Sequence, residues 1–462
     1  MTLEQAIPTL RAGVARANIT PPVACTWQGG YGGRTQPAQG IHDHLTATAL
    51  VVEGPAAGGE APERIALVSL DLVGLAPEQV ARIRALAQEL VGVHADHLML
   101  CCSHTHGGPA TRQSGPWPVN DVYIAALEQA VAGAIYEAAQ RLEPVTLAFG
   151  HALASFNVNR RLRQPDGQMT MRPNPAGAVD RSVVVLRLDR HRQPESGMTA
   201  GEGGSASPLA VLFRFACHAT AMGGQNYLIT ADYPGAARRF VERTYGGRAG
   251  PTTPFLPSTT AMFLPGCFGN LRPNLTTAQG GFRSGTWEEV EALGRQLGAA
   301  TVQAAESANN PTANRHWSRE DGPAASGPLP AMPLGAASAT VELRLEANPA
   351  GRPSWPAEVQ VLRLGSAYLV GLPGEVFVEI GYRAQHAVAD ALAIPTDRVL
   401  VQGYSNGSIG YVPTAAAILE GGYEVGAWKN SDRPAGFTGE AETLLAETAA
   451  KLAVQLQDEK GA

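Results

Sequence analysis

Short apolar runs that end directly at a chemically active side chain recur along this chain, and they restrict the folds open to it. Leu98-Met99-Leu100-Cys101-Cys102 runs into Ser103-His104-Thr105-His106-Gly107-Gly108-Pro109, and Val211 to Ala216 runs through Cys217 into His218. Runs this short, bounded by turn signals, read as buried strands, so the histidines are expected at strand ends, where α/β enzymes place their chemistry. Ala367 to Val370 leads in the same way to Gly371-Leu372-Pro373-Gly374-Glu375, and Arg398 to Gln402 leads to the loop that carries Tyr411. Each residue also has a plain structural reading. Two histidines in a turn can be hydrogen-bonded locally, His218 can be a core imidazole, Glu375 can cap a following helix, and Tyr411 can be an ordinary loop aromatic.

Helix-like segments alternate with the runs. Ile65 to Asp71 predicts a strand, and Pro77 to Leu90 a helix with proline in its first turn. A helix over Val122 to Leu142 would put Ile124, Leu127, Val131 and Ile135 on one face, and further helices are expected near Gly235 to Tyr245 and Trp287 to Ser307. Val183 to Leu188 and Leu209 to Ala216 read as neighbouring strands joined by a Gly/Ser-rich loop around Glu202 to Ser207. Ala339 to Leu345 and Ala357 to Leu364 alternate like an antiparallel pair, and Leu445, Ala449, Leu452 and Leu456 form the packing stripe of a last helix. The expected fold class is α/β, mixed β-sheets flanked by helices, in one large domain over residues 1–462. Asn309 to Ala337, rich in Pro, Gly and Ala, is expected to be a surface loop.

Composition narrows the function classes. A net charge of −6 without a block of like charges offers no nucleic-acid surface, and no stretch of eighteen uncharged apolar residues offers stable membrane anchoring. The first eight residues lack the basic and apolar regions of a secretory signal, so a cytoplasmic location is expected. Five cysteines with no Cys-x-x-Cys pair predict free thiols rather than a disulfide framework. Two imidazoles and one carboxylate, with an oxygen ligand completing the shell, make a catalytic zinc environment, although manganese and iron accept the same donors.

Taken in order, the motifs resemble the neutral/alkaline non-lysosomal ceramidase family, specifically its N-terminal catalytic domain. The resemblance runs through Gly13 to Pro21, Gly40-Ile41-His42-Asp43, Ser69-Leu70-Asp71, His104 to Pro109, Asn157-Val158-Asn159-Arg160-Arg161 and His218 to Met222. It continues through Ile229 to Gly235, Leu372 to Glu375, Tyr411-Val412-Pro413-Thr414 and Tyr423-Glu424. It implies one zinc ion per chain held by His104, His218, Glu375 and Tyr411, with water activated by that ion attacking an amide carbonyl. His106 would act on the substrate, with Tyr411 helping to stabilise the oxyanion, while Arg160 and Tyr423 would line the reaction centre. It also implies a short member without the immunoglobulin-like C-terminal domain of larger relatives.

One segment departs from the family pattern Gly-Asp-Val-Ser-Pro-Asn. Here Gly269-Asn270-Leu271-Arg272-Pro273-Asn274 puts Arg272 where the resemblance expects a serine and Asn270 where it expects an aspartate. A guanidinium cannot serve as that hydroxyl, but it binds carboxylates and phosphates through two parallel contacts. Arg272 and Asn270 are therefore expected to bind substrate, and the leading expectation is zinc-dependent hydrolysis of a linear amide in a small soluble, anionic molecule. The alternatives are a true ceramidase acting on a lipid-like amide, an ester or lactone hydrolase, and a non-catalytic metal-binding protein.

Overall fold

Parallel pairing at three places in the two larger, otherwise antiparallel sheets sets the architecture. The computed structural model describes residues 10–55, 62–112, 118–190, 208–246, 258–308 and 333–458. Its helices are α1 (Pro77–Val91), α2 (Asp121–Ala139), α3 (Asp232–Thr244), α4 (Trp287–Ala308), α5 (Val378–Leu392), the short α6 (Ala415–Glu420) and α7 (Tyr423–Gly426), and α8 (Ala441–Asp458). An eight-stranded sheet runs in the order Thr260–Pro265, Pro208–Phe215, Ser182–Arg190, Glu143–Leu153, Arg11–Asn18, Thr46–Pro55, Pro62–Leu70, Leu98–Cys102. Both of its terminal pairs are parallel, with Leu212 opposite Met262 and Val68 opposite Leu100. A four-stranded sheet runs Leu334–Arg344, Ser354–Leu364, Ala367–Gly371, Val399–Gln402, and its last pair is parallel as well.

A parallel pair requires a crossover, and α1, α3 and α5 supply the three. In α1 the expected apolar spacing is real: Val80, Ile83, Ala87 and Val91 are buried, Pro77 opens the helix, and Gly92 at φ 69° closes it with its N–H on Gln88 O at 3.0 Å. Helices α1 and α2 cover one half of the outer face of the larger sheet, and α3 and α4 cover the other half. The inner face, through Leu50, Leu67, Met99, Leu186 and Leu212, packs against Leu362, Leu369 and Leu400 of the smaller sheet. Helices α5 and α8 then cover the far face of that second sheet, giving a helix-sheet-sheet-helix sandwich.

The larger sheet curls until its two ends meet: Ser69 Oγ donates to Phe263 O at 2.7 Å. The loop after Val399–Gln402 docks on the Leu98–Cys102 edge, where the Asn406 N–H donates to Leu100 O and Asn406 Oδ1 accepts from the Leu100 N–H, each at 2.9 Å. The carboxyl ends of all three parallel pairs are thereby brought to one place, the position at which open α/β sheets bind ligands.

Two boundaries differ from the sequence expectation. Leu334 to Ala337 is not loop but the start of the Leu334–Arg344 strand, because it pairs with Ala-free partners Val361 to Leu364 through the full antiparallel register. The third helix begins at Asp232 rather than Gly235, since the Asp232 carboxylate accepts the Tyr233 N–H at 2.7 Å and Pro234 fits a first turn. The Gly/Ser-rich loop around 202–207, residues 309–332 and the first eight residues lie outside the described residues. Among the described residues, no helix is long and apolar enough to cross a membrane.

Candidate active site

Ser103 and His104 fold back along the loop leaving the neighbouring parallel strand. The Ser103 N–H donates to Leu70 O at 2.8 Å and the His104 N–H to Leu72 O at 2.9 Å. This turn holds His104 at φ 60°, a left-handed conformation that costs a non-glycine residue about 1–2 kcal/mol. Its ring is fixed by Nδ1 donating to Val73 O at 2.6 Å, and that of His218 by Nδ1 donating to Leu271 O at 2.7 Å. Each imidazole therefore presents Nε2 as a lone pair. Tyr404, stacked on Phe268, packs beside the His104 ring, and Phe268 packs beside that of His218.

Those lone pairs converge on a carboxylate. Glu375 Oε2 lies 3.3 Å from His104 Nε2 and 3.2 Å from His218 Nε2, and His106 Nε2 lies 3.2 Å from His104 Nε2. Burial, with Arg160 adding, pulls the His218 pKa down to about 3, and burial together with His104 and His218 holds His106 well below the usual range. Burial opposes charge on Glu375, and positive charge at the facing Nε2 atoms of His104 and His218 outweighs it, holding the carboxyl well below the usual range. Neutral Nε2 lone pairs facing an anion at these distances repel one another unless a cation lies among them. The donor set thus fits a divalent metal, and the ligating nitrogens of His104, His106 and His218 all lie within 4.8 Å of one another. Glu375 does not cap α5, whose N-cap is Phe377.

Beside this cluster, Arg160 Nη2 donates to the Tyr411 hydroxyl at 2.9 Å and to Gly269 O at 2.7 Å. A residue to which the sequence reading gave no role holds that arginine. Glu424, fully buried at the start of α7, takes Arg160 Nε at 2.8 Å and Arg161 Nη1 at 2.9 Å. Burial, reinforced by Glu375, pushes the Tyr411 pKa well above the usual phenol range against the pull of Arg160. Tyr423, half exposed, meets the Tyr411 ring edge-on at 5.8 Å.

A cavity of about 320 Å³ opens on the cluster, lined among others by His104, His106, Glu375, Tyr411, Tyr423 and Arg112. Gly30 is part of its wall, and a Cβ there would lie 2.4 Å from the His106 ring. Gly269 likewise permits close approach, since a Cβ would lie 2.3 Å from Glu375 O. The two expected substrate-binding residues are not among those lining this cavity. Asn270 turns towards α5, with Nδ2 donating to Glu379 Oε2 at 2.8 Å and Oδ1 accepting the Val378 N–H at 3.0 Å. Arg272 stacks its guanidinium on Phe282 at 4.3 Å, within electrostatic reach of Tyr31, Arg160 and Tyr411.

Compared with known proteins, residues 10–291 match the family described as neutral/alkaline non-lysosomal ceramidase, N-terminal. The chain belongs to the neutral/alkaline non-lysosomal ceramidase family. Neutral ceramidase of Mycobacterium tuberculosis is 25% identical over 495 residues, covering 90% of this chain and 74% of the relative. Neutral ceramidase of Pseudomonas aeruginosa is 24% identical over 493 residues, covering 90% of this chain and 69% of the relative. The solved structure of neutral ceramidase from Pseudomonas aeruginosa superposes with a TM-score of 0.75 at 20% identity, over 98% of this chain and 75% of that one. That likeness establishes the fold, mixed sheets with flanking helices. Within the ceramidase match lie His104, His106, Arg160, His218, Asn270 and Arg272; Glu375, Tyr411 and Tyr423 lie beyond it and reach the cluster through the second sheet.

Proposed function

We propose that this chain is a metal-dependent amidohydrolase that splits the N-acyl bond of a ceramide-type lipid into a fatty acid and an amine. One observation carries the reading: the Nε2 lone pairs of His104 and His218 meet Glu375 Oε2 on the wall of a cavity, in a chain whose relatives are neutral ceramidases. The relatives support a lipid amide over the soluble amide that Arg272 suggested in the sequence. His104, His218, Glu375 and the Tyr411 phenol would hold one zinc-type ion. When bound, such an ion polarises an amide carbonyl and makes water acidic enough to attack near neutral pH.

The remaining steps fall to side chains. His106, neutral and beside His104, accepts a proton at Nε2 from the attacking water and returns it to the amine nitrogen as the C–N bond breaks. Arg160, charged and fixed by Glu424, orients the Tyr411 hydroxyl and supplies positive potential against the developing oxyanion. Tyr423, which lines the cavity, would limit water around the scissile bond. The test is fatty-acid release from ceramide by protein stripped of metal and then reloaded with zinc. His104→Ala is expected to lower both bound metal and turnover, the latter by at least about 10²-fold. Stoichiometric metal without hydrolysis of ceramide or a panel of N-acyl amines would leave only the non-catalytic reading, and cleavage confined to esters or lactones would replace the amide.

A further inference from the structure

Among the described residues, the buried and half-buried arginines of this protein follow a rule that only Arg112 and Arg272 break. Arg84 pairs with Glu358, Arg160 and Arg161 with Glu424, Arg187 with Asp189, Arg214 with Asp180, and Arg238 with Asp71. Arg34, Arg363 and Arg433 donate to backbone carbonyls instead. Arg112 has neither kind of partner among the described residues, and its Nε is fully buried with no hydrogen bond. A buried donor left without a partner is unfavourable, so the arrangement asks what completes it.

Its position answers in part. Arg112 lines the 320 Å³ cavity together with His104, His106, Glu375 and Tyr411, and it also lines an adjoining cavity of about 640 Å³ bounded by Trp355, Ile409 and Arg433. It therefore forms part of the wall between the catalytic cavity and its neighbour, within reach of a substrate that extends from one into the other. The carboxylates within its electrostatic reach are Glu375, already turned to the two histidines, and Asp432, exposed at the rim and not ion-paired with it. Burial lowers the pKa of Arg112, yet an arginine stays charged at neutral pH. A planar guanidinium with open donors suits a carboxylate or a phosphate, which it takes through two parallel contacts, far better than a neutral alcohol.

We propose that Arg112 is the seat of an anionic group on the substrate, so that the amide cleaved here carries a carboxylate or a phosphate on its amine half. The inference rests on the amide-hydrolysis reading above and deepens it by naming the substrate class. Arg272, which stacks on Phe282 and likewise has an Nε without a partner, is the competing guanidinium, but it does not line the cavity.

The experiment compares kcat/KM of the zinc-loaded protein for three substrates with one acyl chain: ceramide, the phosphate monoester of that ceramide, and an N-acylglycine. Expected is a preference of roughly 10-fold or more for one anionic substrate over ceramide, carried mainly by KM, the phosphate and carboxylate arms telling the two anions apart. Arg112→Gln is expected to bring that ratio near one, and Arg112→Lys to keep part of it. Calorimetric binding of the ceramide phosphate monoester and of the N-acylglycine to wild type and Arg112→Gln supplies a readout independent of turnover. If no amide is hydrolysed, the proposed function falls while the binding measurement still decides the role of Arg112. Equal kcat/KM for neutral and anionic amides, or equal binding by both proteins, overturns it. So does loss of the preference in Arg272→Ser but not in Arg112→Gln.

Discussion

At the scale of single residues, Glu424 governs more than its position suggests. It is the shared counter-charge of Arg160 and Arg161, and both guanidiniums are buried with it. Glu424→Gln is expected to cost about 3 kcal/mol of stability, because removing one partner strands buried charge. It should also lower kcat more than it raises KM, since Arg160 would lose its hold beside Tyr411; urea unfolding and steady-state kinetics check the two effects separately. An unchanged kcat would detach Arg160 from the chemistry. Such a residue is hard to find in a sequence, for its arginine partner Arg160 lies 264 positions away. The convergence of His104, His218 and Glu375 was legible only through the ordered motifs of the family resemblance, since the apolar runs before them left each residue a plain structural reading. Arg112 stands three residues past the Gly107-Gly108-Pro109 turn with nothing local to mark it, and its significance lies in the partners it lacks. Asn270 was read for its chemistry, whereas its amide is spent on the first turn of α5.

At the scale of elements, the strands that precede the site residues were readable and several supporting strands were not. Asn157–Arg163 is polar, and its burial depends on Glu424, so no hydrophobic pattern announces it. Glu143–Leu153 contains a proline and a glycine, yet Val145 to Leu153 pairs without a break with Ser182–Arg190, and Glu143 and Pro144 pair with Arg11–Asn18. The 3₁₀ turn Ala95–His97, which leads into Leu98–Cys102, carries a testable link to its neighbour strand. Burial alone would lower the pKa of His97, but its contacts with Asp96 and Glu63 outweigh that and push it up to about 9. The folded value therefore exceeds the unfolded one of about 6.5. The resulting stabilisation is complete below pH ~6.5 and disappears as pH rises through about 9. After allowance for solvent screening it amounts to about 1–2 kcal/mol. Chemical denaturation at pH 6.5 and pH 9.5 should show this loss in the wild type and not in His97→Asn; parallel losses in both would remove His97 from the account.

At the scale of the whole molecule, the two sheets protect one another. Cys101, Cys102, Cys217 and Cys267 are buried among them, and only Cys25 is exposed. Burial pushes the Cys101 and Cys267 thiols up to about 12, so the reactive thiolate is scarce in the folded protein. A thiol reagent should titrate one group in the native protein and five after unfolding; rapid native reaction of a second thiol would mean that the sandwich opens. The same layering bears on how the protein is made. The larger sheet is complete in sequence by Pro265, but its inner face stays bare until Leu362, Leu369 and Leu400 have been synthesised. A nascent chain at that stage exposes an apolar surface and holds, of the four proposed metal ligands, only His104 and His218. Glu375 and Tyr411 arrive with the strands that cover the bare face. Translation thus couples two risks to one remedy: the segment that ends the danger of aggregation is the segment that completes the site, and truncated chains are both sticky and inert.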